Sequence, residues 1–180
     1  MQDTIASAGA ANPIQFDGNT RESKQRLDFA RVAPDAAQAQ LALEQHVRRS
    51  GIEPSLRHLV YLRASIINGC AYCVDMHTKD ARAGGETEQR LYAVPVWRET
   101  PFFTPRERAA LAWTDAVTDL ARTGVPDEAY AEARSELSEE ELVDLTMVVI
   151  SINGWNRLAV SFRTTVGQYV AGSNGVEHRR

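Results

Sequence analysis

An all-α fold is predicted for this 180-residue chain by three observations. No stretch sustains the apolar/polar alternation of a half-buried strand. Apolar residues recur instead at three- and four-residue spacing in successive segments. Those segments are bracketed by helix punctuation, with prolines and hydroxyl-to-glutamate pairs at their starts and glycines at their ends. The one β-branched run, Val148-Val149-Ile150, follows a capped helix start and is read as part of that helix.

Residues 1–20 are small and polar, with Gly9, Pro13 and Gly18, and form an N-terminal arm. Residues 21–172 form the helical domain and 173–180 a tail. Within the domain a short helix is expected over Arg21 to Phe29, then one from Pro34 to about Arg49, with Leu41, Leu43 and Val47 inward and Gly51 as its stop. Pro54 opens the next, which carries Leu56, Leu59, Val60 and Leu62 as far as Ile66-Ile67 before Asn68-Gly69 interrupts it. A helix from Cys70 runs to about Ala83, ended by Gly84-Gly85. Thr87 to Trp97 is helical until Pro95 disturbs it, and Thr100 to Phe103 is a loop. Thr104-Pro105-Arg106-Glu107 is a capping box that starts a helix to about Arg122, and Pro126 begins a short one to Arg134. Ser138-Glu139-Glu140-Glu141 is a second box, and its acids also suit the positive end of the helix dipole. Gly154 is expected to break that helix and a last one to cover Trp155 to Val170. Ser65-Ile66-Ile67-Asn68-Gly69-Cys70 is echoed by Ser151-Ile152-Asn153-Gly154-Trp155.

Composition narrows the function. Apolar residues make up 43%, charged residues 24% and the net charge is −4, an ordinary soluble balance. No dense Lys/Arg stretch offers a nucleic-acid footprint, and no apolar run is long enough to cross a membrane. The N-terminus lacks the basic start and apolar core of a secretory signal, so the expected compartment is the cytoplasm. There, two cysteines at Cys-x-x-Cys spacing point to catalysis or metal binding rather than a structural staple.

Those two are Cys70 and Cys73, with His77 one turn further on. Residues three and four apart share a helix face, so all three side chains lie together. Asn68-Gly69 places Cys70 at the helix start, where free backbone N–H groups and the dipole favour a thiolate over a thiol of ordinary pKa ~8.5. The pattern reads as redox chemistry.

The surrounding residues carry a resemblance. Leu59-Val60-Tyr61-Leu62-Arg63-Ala64-Ser65, Ile67-Asn68-Gly69-Cys70-Ala71-Tyr72-Cys73 and His77-Thr78-Lys79-Asp80-Ala81-Arg82 resemble the core of the AhpD-like alkylhydroperoxidases, within the carboxymuconolactone decarboxylase family. The likeness continues through Glu86 to Leu91, Trp97 to Thr100, Phe103-Thr104, Glu107 to Trp113 and Ile152 to Arg157. It implies an AhpD-like helical domain completed by self-association, commonly as a homo-oligomeric trimer or hexamer. It also implies a thiol-dependent peroxidase for antioxidant defence that uses no metal or haem, takes a hydroperoxide as substrate and is regenerated by an external dithiol or thiol reductant. Carried over, Cys73 attacks the peroxide, Cys70 resolves it as a disulfide, and His77 belongs to the proton relay. The family's relay glutamate falls at His58 here, and Ile66 stands where close relatives often have glutamine. A neutral His58 can accept a proton but supplies no negative charge for a cationic His77. Two neighbouring imidazoles resist double protonation, so activity is expected to fall below about pH 6.

Other readings compete. Cys70, Cys73, His77 and His58 make a two-cysteine, two-histidine zinc set, although three of them lie on one helix. A lactone decarboxylase of the same family, or a non-catalytic oligomer, would leave the cysteines as inert core. Trp155 reads as a core anchor and Arg157 as a structural partner, Tyr72 as lining or packing, and Trp97, Phe102 and Phe103 as a subunit contact.

Overall fold

The structure, a computed structural model, describes residues 24–172, so the predicted arm and tail fall outside it. Every regular element among the described residues is helical. In order these are α1 (Phe29–Val32), α2 (Pro34–Arg48), α3 (Pro54–Ile67), α4 (Ala71–Ala83), α5 (Glu88–Ala93), a 3₁₀ segment (Val94–Glu99), α6 (Pro105–Thr118), α7 (Leu120–Thr123), α8 (Asp127–Glu136) and α9 (Glu139–Phe162). Both capping boxes form as the sequence predicts, at Thr104/Glu107 and Ser138/Glu141.

α3 is the central element. It packs against α4, α6 and α9, and it buries Leu56, Leu59, Val60, Tyr61, Leu62, Ala64 and Ser65 on nearly all sides. One apolar core lies between α2, α3, α6 and α9, built on Val47, Val60, Leu145, Val148, Val149 and Ile152. A second lies on the other flank of α3, where Leu59, Leu62, Leu91, Val94, Trp97 and Leu111 meet. Burying a side chain of this size is worth about 1.5–3 kcal/mol, so α3 is held from two directions at once.

Four expectations are corrected. The helix expected over Arg21 to Phe29 instead begins at Phe29, where the Asp28 side chain accepts from the N–H of Arg31 at 3.2 Å. Residues 24–28 are pinned against the end of α9, through the N–H of Arg26 to the carbonyl of Phe162 at 2.9 Å, and form no helix of their own. The helix expected to reach Arg122 breaks at Asp119, which leaves α7 as a separate turn.

Gly154 breaks nothing: α9 runs through it for 24 residues and ends at Phe162, with Arg163 in the left-handed region at φ 54°. The glycine gives room. A Cβ there would lie 2.6 Å from the Gln40 side chain, whose amide donates to the carbonyl of Ser151 at 2.9 Å. The aromatic group expected at a subunit contact is core instead, with Trp97 at 3% and Phe103 at 5% exposure and Phe102 packed against them. The Arg98 guanidinium covers the Trp97 ring at 4.1 Å, and Trp97 Nε1 donates to Asp115 at 3.3 Å.

Candidate active site

The turn from α3 into α4 builds the sulfur site. Gly69 takes φ +64°, a conformation that side chains resist, and reverses the chain so that the N–H of Cys70 reaches back to the carbonyl of Ser65 at 2.9 Å. Cys70 thereby becomes the N-cap of α4, and its Sγ accepts from the N–H of Cys73 at 3.4 Å. α9 fixes the turn from outside. Asn68 donates to Asn153 at 3.0 Å and to Asn156 at 2.9 Å, and Asn156 donates in turn to Ser65 Oγ at 3.0 Å. The two echoing segments are therefore bonded to each other across the α3–α9 contact. Their backbones differ: Asn68-Gly69 turns while Asn153-Gly154 continues a helix.

Both cysteines are free thiols, each 1% exposed, in a cluster with Ala159 and the half-buried Tyr72. The S–H of Cys73 donates to Cys70, and it is the strongest of several influences that bring Cys70 down to about 7. Burial opposes it, while the N–H groups of Cys73 and Tyr72 and the Asn156 side chain act with it. Cys73, which supplies that proton and is itself buried, is pushed well up. The first proton to leave the reduced pair is thus the one on Cys70, and the charge is favoured on the sulfur at the helix start.

His77 lies beneath, 6% exposed, with its ring 4.8 Å from that of Tyr61 and tilted by 42°. Burial, then the neighbouring His58, then Arg48 hold its imidazole down to about 3, so it is neutral at any physiological pH. Neither of its ring nitrogens has a hydrogen-bond partner among the described residues, nor does Nδ1 of His58. His58 is half-buried on α3; burial lowers it, Arg57 and Arg48 add to that, and Asp80 and Glu44 pull the other way. The structure therefore brings His58 and His77 into one electrostatic neighbourhood, and joins Cys70 to Cys73, but draws no hydrogen bond from His77 to either sulfur.

The sequence profile described as the carboxymuconolactone decarboxylase family matches residues 34–116. An uncharacterized protein of Bacillus subtilis, YdfG, is 40% identical over 137 residues, which cover 76% of this chain and 93% of that one. The chain belongs to the carboxymuconolactone decarboxylase family, and to its AhpD-like members. Among solved structures, an Agrobacterium tumefaciens protein of unknown function, described as a candidate AhpD antioxidant-defence protein, is 49% identical with a TM-score of 0.79, covering 81% of this chain and all of that one. The debrominase Bmp8 has the same fold at 21% identity and a TM-score of 0.68, over 75% of this chain and 73% of its own.

Within this AhpD-like frame Arg157 turns back on its own helix, to the carbonyl of Asn153 at 3.0 Å and its side chain at 2.8 Å, while Trp155 packs at the edge of the core against Phe29. Among the described residues no group of three or more His, Cys, Asp or Glu side chains is placed to hold a metal ion, and no helix is long and apolar enough to cross a membrane. Two polar residues escaped the sequence reading. Asn156 bears on the Cys70 thiolate; it lay within the Ile152 to Arg157 likeness, which gave it no role. Glu44 is a carboxylate buried to 6% exposure on α2, three residues from Leu41 and from Val47, and the helix pattern gave it no role.

The thiolate assignment has a direct consequence. Ultraviolet thiolate absorbance of the reduced protein is expected to titrate one sulfur with a midpoint near 7. Asn156→Asp sets a carboxylate beside that sulfur and is expected to raise the midpoint by about one unit or more. An unmoved midpoint would separate Asn156 from the thiolate.

Proposed function

We propose that this chain is a thiol-dependent hydroperoxide reductase that works through a Cys70–Cys73 dithiol/disulfide cycle. The observation that carries the reading is the sulfur pair at the start of α4, which shares one proton and has one member brought to about 7. In the cycle the proton crosses from Cys73 to Cys70, and the Cys73 thiolate attacks the distal peroxide oxygen. The O–O bond breaks, Cys73 becomes a sulfenic acid, and the alkoxide leaves with a proton drawn from solvent and passed through His77 or His58, each neutral before and after the step. The Cys70 thiol then attacks the Cys73 sulfur, closing the disulfide and releasing water.

The charge on Cys70 in the resting pair fits the second half of the cycle. A sulfur with a lowered pKa is the weaker nucleophile and the better leaving group. When an external dithiol attacks Cys73 in the disulfide, Cys70 departs as the stabilised thiolate. With both imidazoles held low, the acid limb of activity falls to the sulfur pair, which takes up its second proton at Cys70 near pH 7. Both sulfurs are nearly closed off, so entry of the hydroperoxide requires Tyr72 or its neighbours to yield, and self-association into a trimer or hexamer belongs to the same reading.

The test is consumption of an organic hydroperoxide by purified protein with a dithiol reductant. Turnover above the reductant alone, with Cys70–Cys73 disulfide found when the reductant is limiting, is the expected result. Absence of both would remove the reading. The likeness to a debrominase makes a brominated pyrrole the control substrate: turnover of that compound with no turnover of hydroperoxide would transfer the same dithiol cycle to reductive dehalogenation.

A further inference from the structure

His77 presents a chemical gap. It is a buried base with no hydrogen-bond partner among the described residues, so protonating it places a cation where water does not reach. Something must offset that charge if the imidazole is to hold a proton during turnover. The Tyr61 ring lies 4.8 Å from the imidazole, centroid to centroid, tilted by 42°, and an aromatic ring at that distance can attract a cation.

The phenol is itself polarised. Tyr61 Oη donates to both carboxylate oxygens of Glu44, each at 3.0 Å, and burial together with that carboxylate keeps the phenol strongly protonated. A phenol that donates to a carboxylate has a more electron-rich ring, so the tilted Tyr61 ring beside His77 is a better neighbour for an imidazolium. Glu44 is otherwise held by Ser151 Oγ at 2.9 Å and by Arg48 Nε at 2.8 Å, and Arg48 is itself 55% exposed on its side chain, so its charge is shared with solvent. The charged and titratable groups that bear on His58 are Asp80 from α4, Arg57 from its own helix and Arg48 and Glu44 from α2, while His58 and Arg48 bear on His77. Asp80 is engaged by the Tyr169 hydroxyl at 2.6 Å and bears on His58. Glu44 is the carboxylate whose hydrogen bonds lead, through one side chain, to the ring of His77.

We propose that Glu44, acting through Tyr61, is the positioning carboxylate of the His77 relay, reached from α2 because position 58 holds an imidazole. This rests on the hydroperoxide-reductase reading for its role in turnover, but not for its effect on the imidazoles. Glu44 takes no proton from substrate; it makes the transient imidazolium of His77 tolerable and holds the phenol ring in register.

The test uses the full chain and the variants Glu44→Gln, Tyr61→Phe and the double variant. Imidazole titrations are followed by NMR, with assignments from His58→Asn and His77→Asn. Loss of the carboxylate is expected to move the His58 or His77 midpoint to lower pH by about half a unit or more. Hydroperoxide kcat/KM should fall by about tenfold or more. Because the two residues form one path, the double variant should be no worse than the more severe single variant, within about twofold. Unmoved midpoints for both imidazoles in Glu44→Gln would overturn the proposal, even if the variant were slower or melted earlier, since a merely structural carboxylate gives that result. Tyr61→Phe keeps the ring and supplies the same readout if Glu44→Gln fails to fold. If the native protein reduces no hydroperoxide while the midpoints still move, the proposed function falls and the Glu44–Tyr61–His77 coupling stands.

Discussion

Cys73→Ser and Cys70→Ser are each expected to lose dithiol-driven hydroperoxide turnover by about a hundredfold or more, and to fail at different points. Cys70→Ser keeps the attacking sulfur but has nothing to close a disulfide with. It should consume one equivalent of peroxide and stop, with Cys73 as a sulfenic acid that a dione reagent traps. Cys73→Ser should consume none at a comparable rate. Its remaining sulfur sits at the helix start with the N–H of residue 73 still pointing at it, ionised but weakly nucleophilic. Mass spectrometry of the trapped adducts decides the order of the two thiols. A sulfenic acid on Cys70 in the Cys73→Ser protein, formed as fast as that on Cys73 in the other variant, would make the charged sulfur the attacker and reverse the assignment. Native turnover surviving in either variant would end the dithiol cycle altogether.

The second large effect is on stability in acid. The folded-state pKa of His77 is depressed to about 3, whereas an unfolded histidine titrates near ~6.5. Between those values the unfolded chain holds a proton that the folded chain refuses, so stability rises with pH through this window and is lost as pH falls from about 6.5 toward 3. Each unit is worth about 1.4 kcal/mol, which makes the drop from about pH 6.5 to 4.5 on the order of 3 kcal/mol from this one ring. Half-buried His58, also depressed, adds in the same direction. Glu141, held low by the Ser138 N–H and then by Arg106, and Glu53 and Glu107, held low by Arg106 and Arg90 against their burial, contribute only below about pH 4.5, which makes the range above it the informative one. Urea unfolding at several pH values, with unchanged m-values, should give a steep slope for the native chain and a shallower one for His77→Gln. The readout is the slope, so a uniformly weaker variant does not confuse it. Equal slopes would mean that His77 takes up a proton in the folded state as readily as in the unfolded one.

The sequence marked out helix starts better than helix ends. A start is chemistry confined to four residues, so Thr104-Pro105-Arg106-Glu107 and Ser138 to Glu141 could be recognised outright, as could Gly69 where a left-handed turn was needed. Gly154 looked the same in one dimension. What distinguishes it is Gln40, 114 positions earlier, whose side chain occupies the space that a Cβ would fill. At the site, the spacing of Cys70, Cys73 and His77 disclosed the pair and its histidine. The helix start after Gly69 also pointed to Cys70 as the sulfur that favours a thiolate, but not to the help it receives from the Cys73 S–H and from Asn156 on α9. Glu44 was invisible for a related reason: an acid on an amphipathic helix is ordinarily solvated, and only the arrival of Tyr61 and Ser151 from two other helices makes it a buried one.

Closing the disulfide erases the anion that caps α4. The backbone N–H of Cys73, which now meets a negative sulfur, would face a neutral one, so oxidation costs the helix an electrostatic contact that reduction restores. A couple whose electron-rich form is favoured in this way is a comparatively strong oxidant, and weak cellular thiols suffice to reset it.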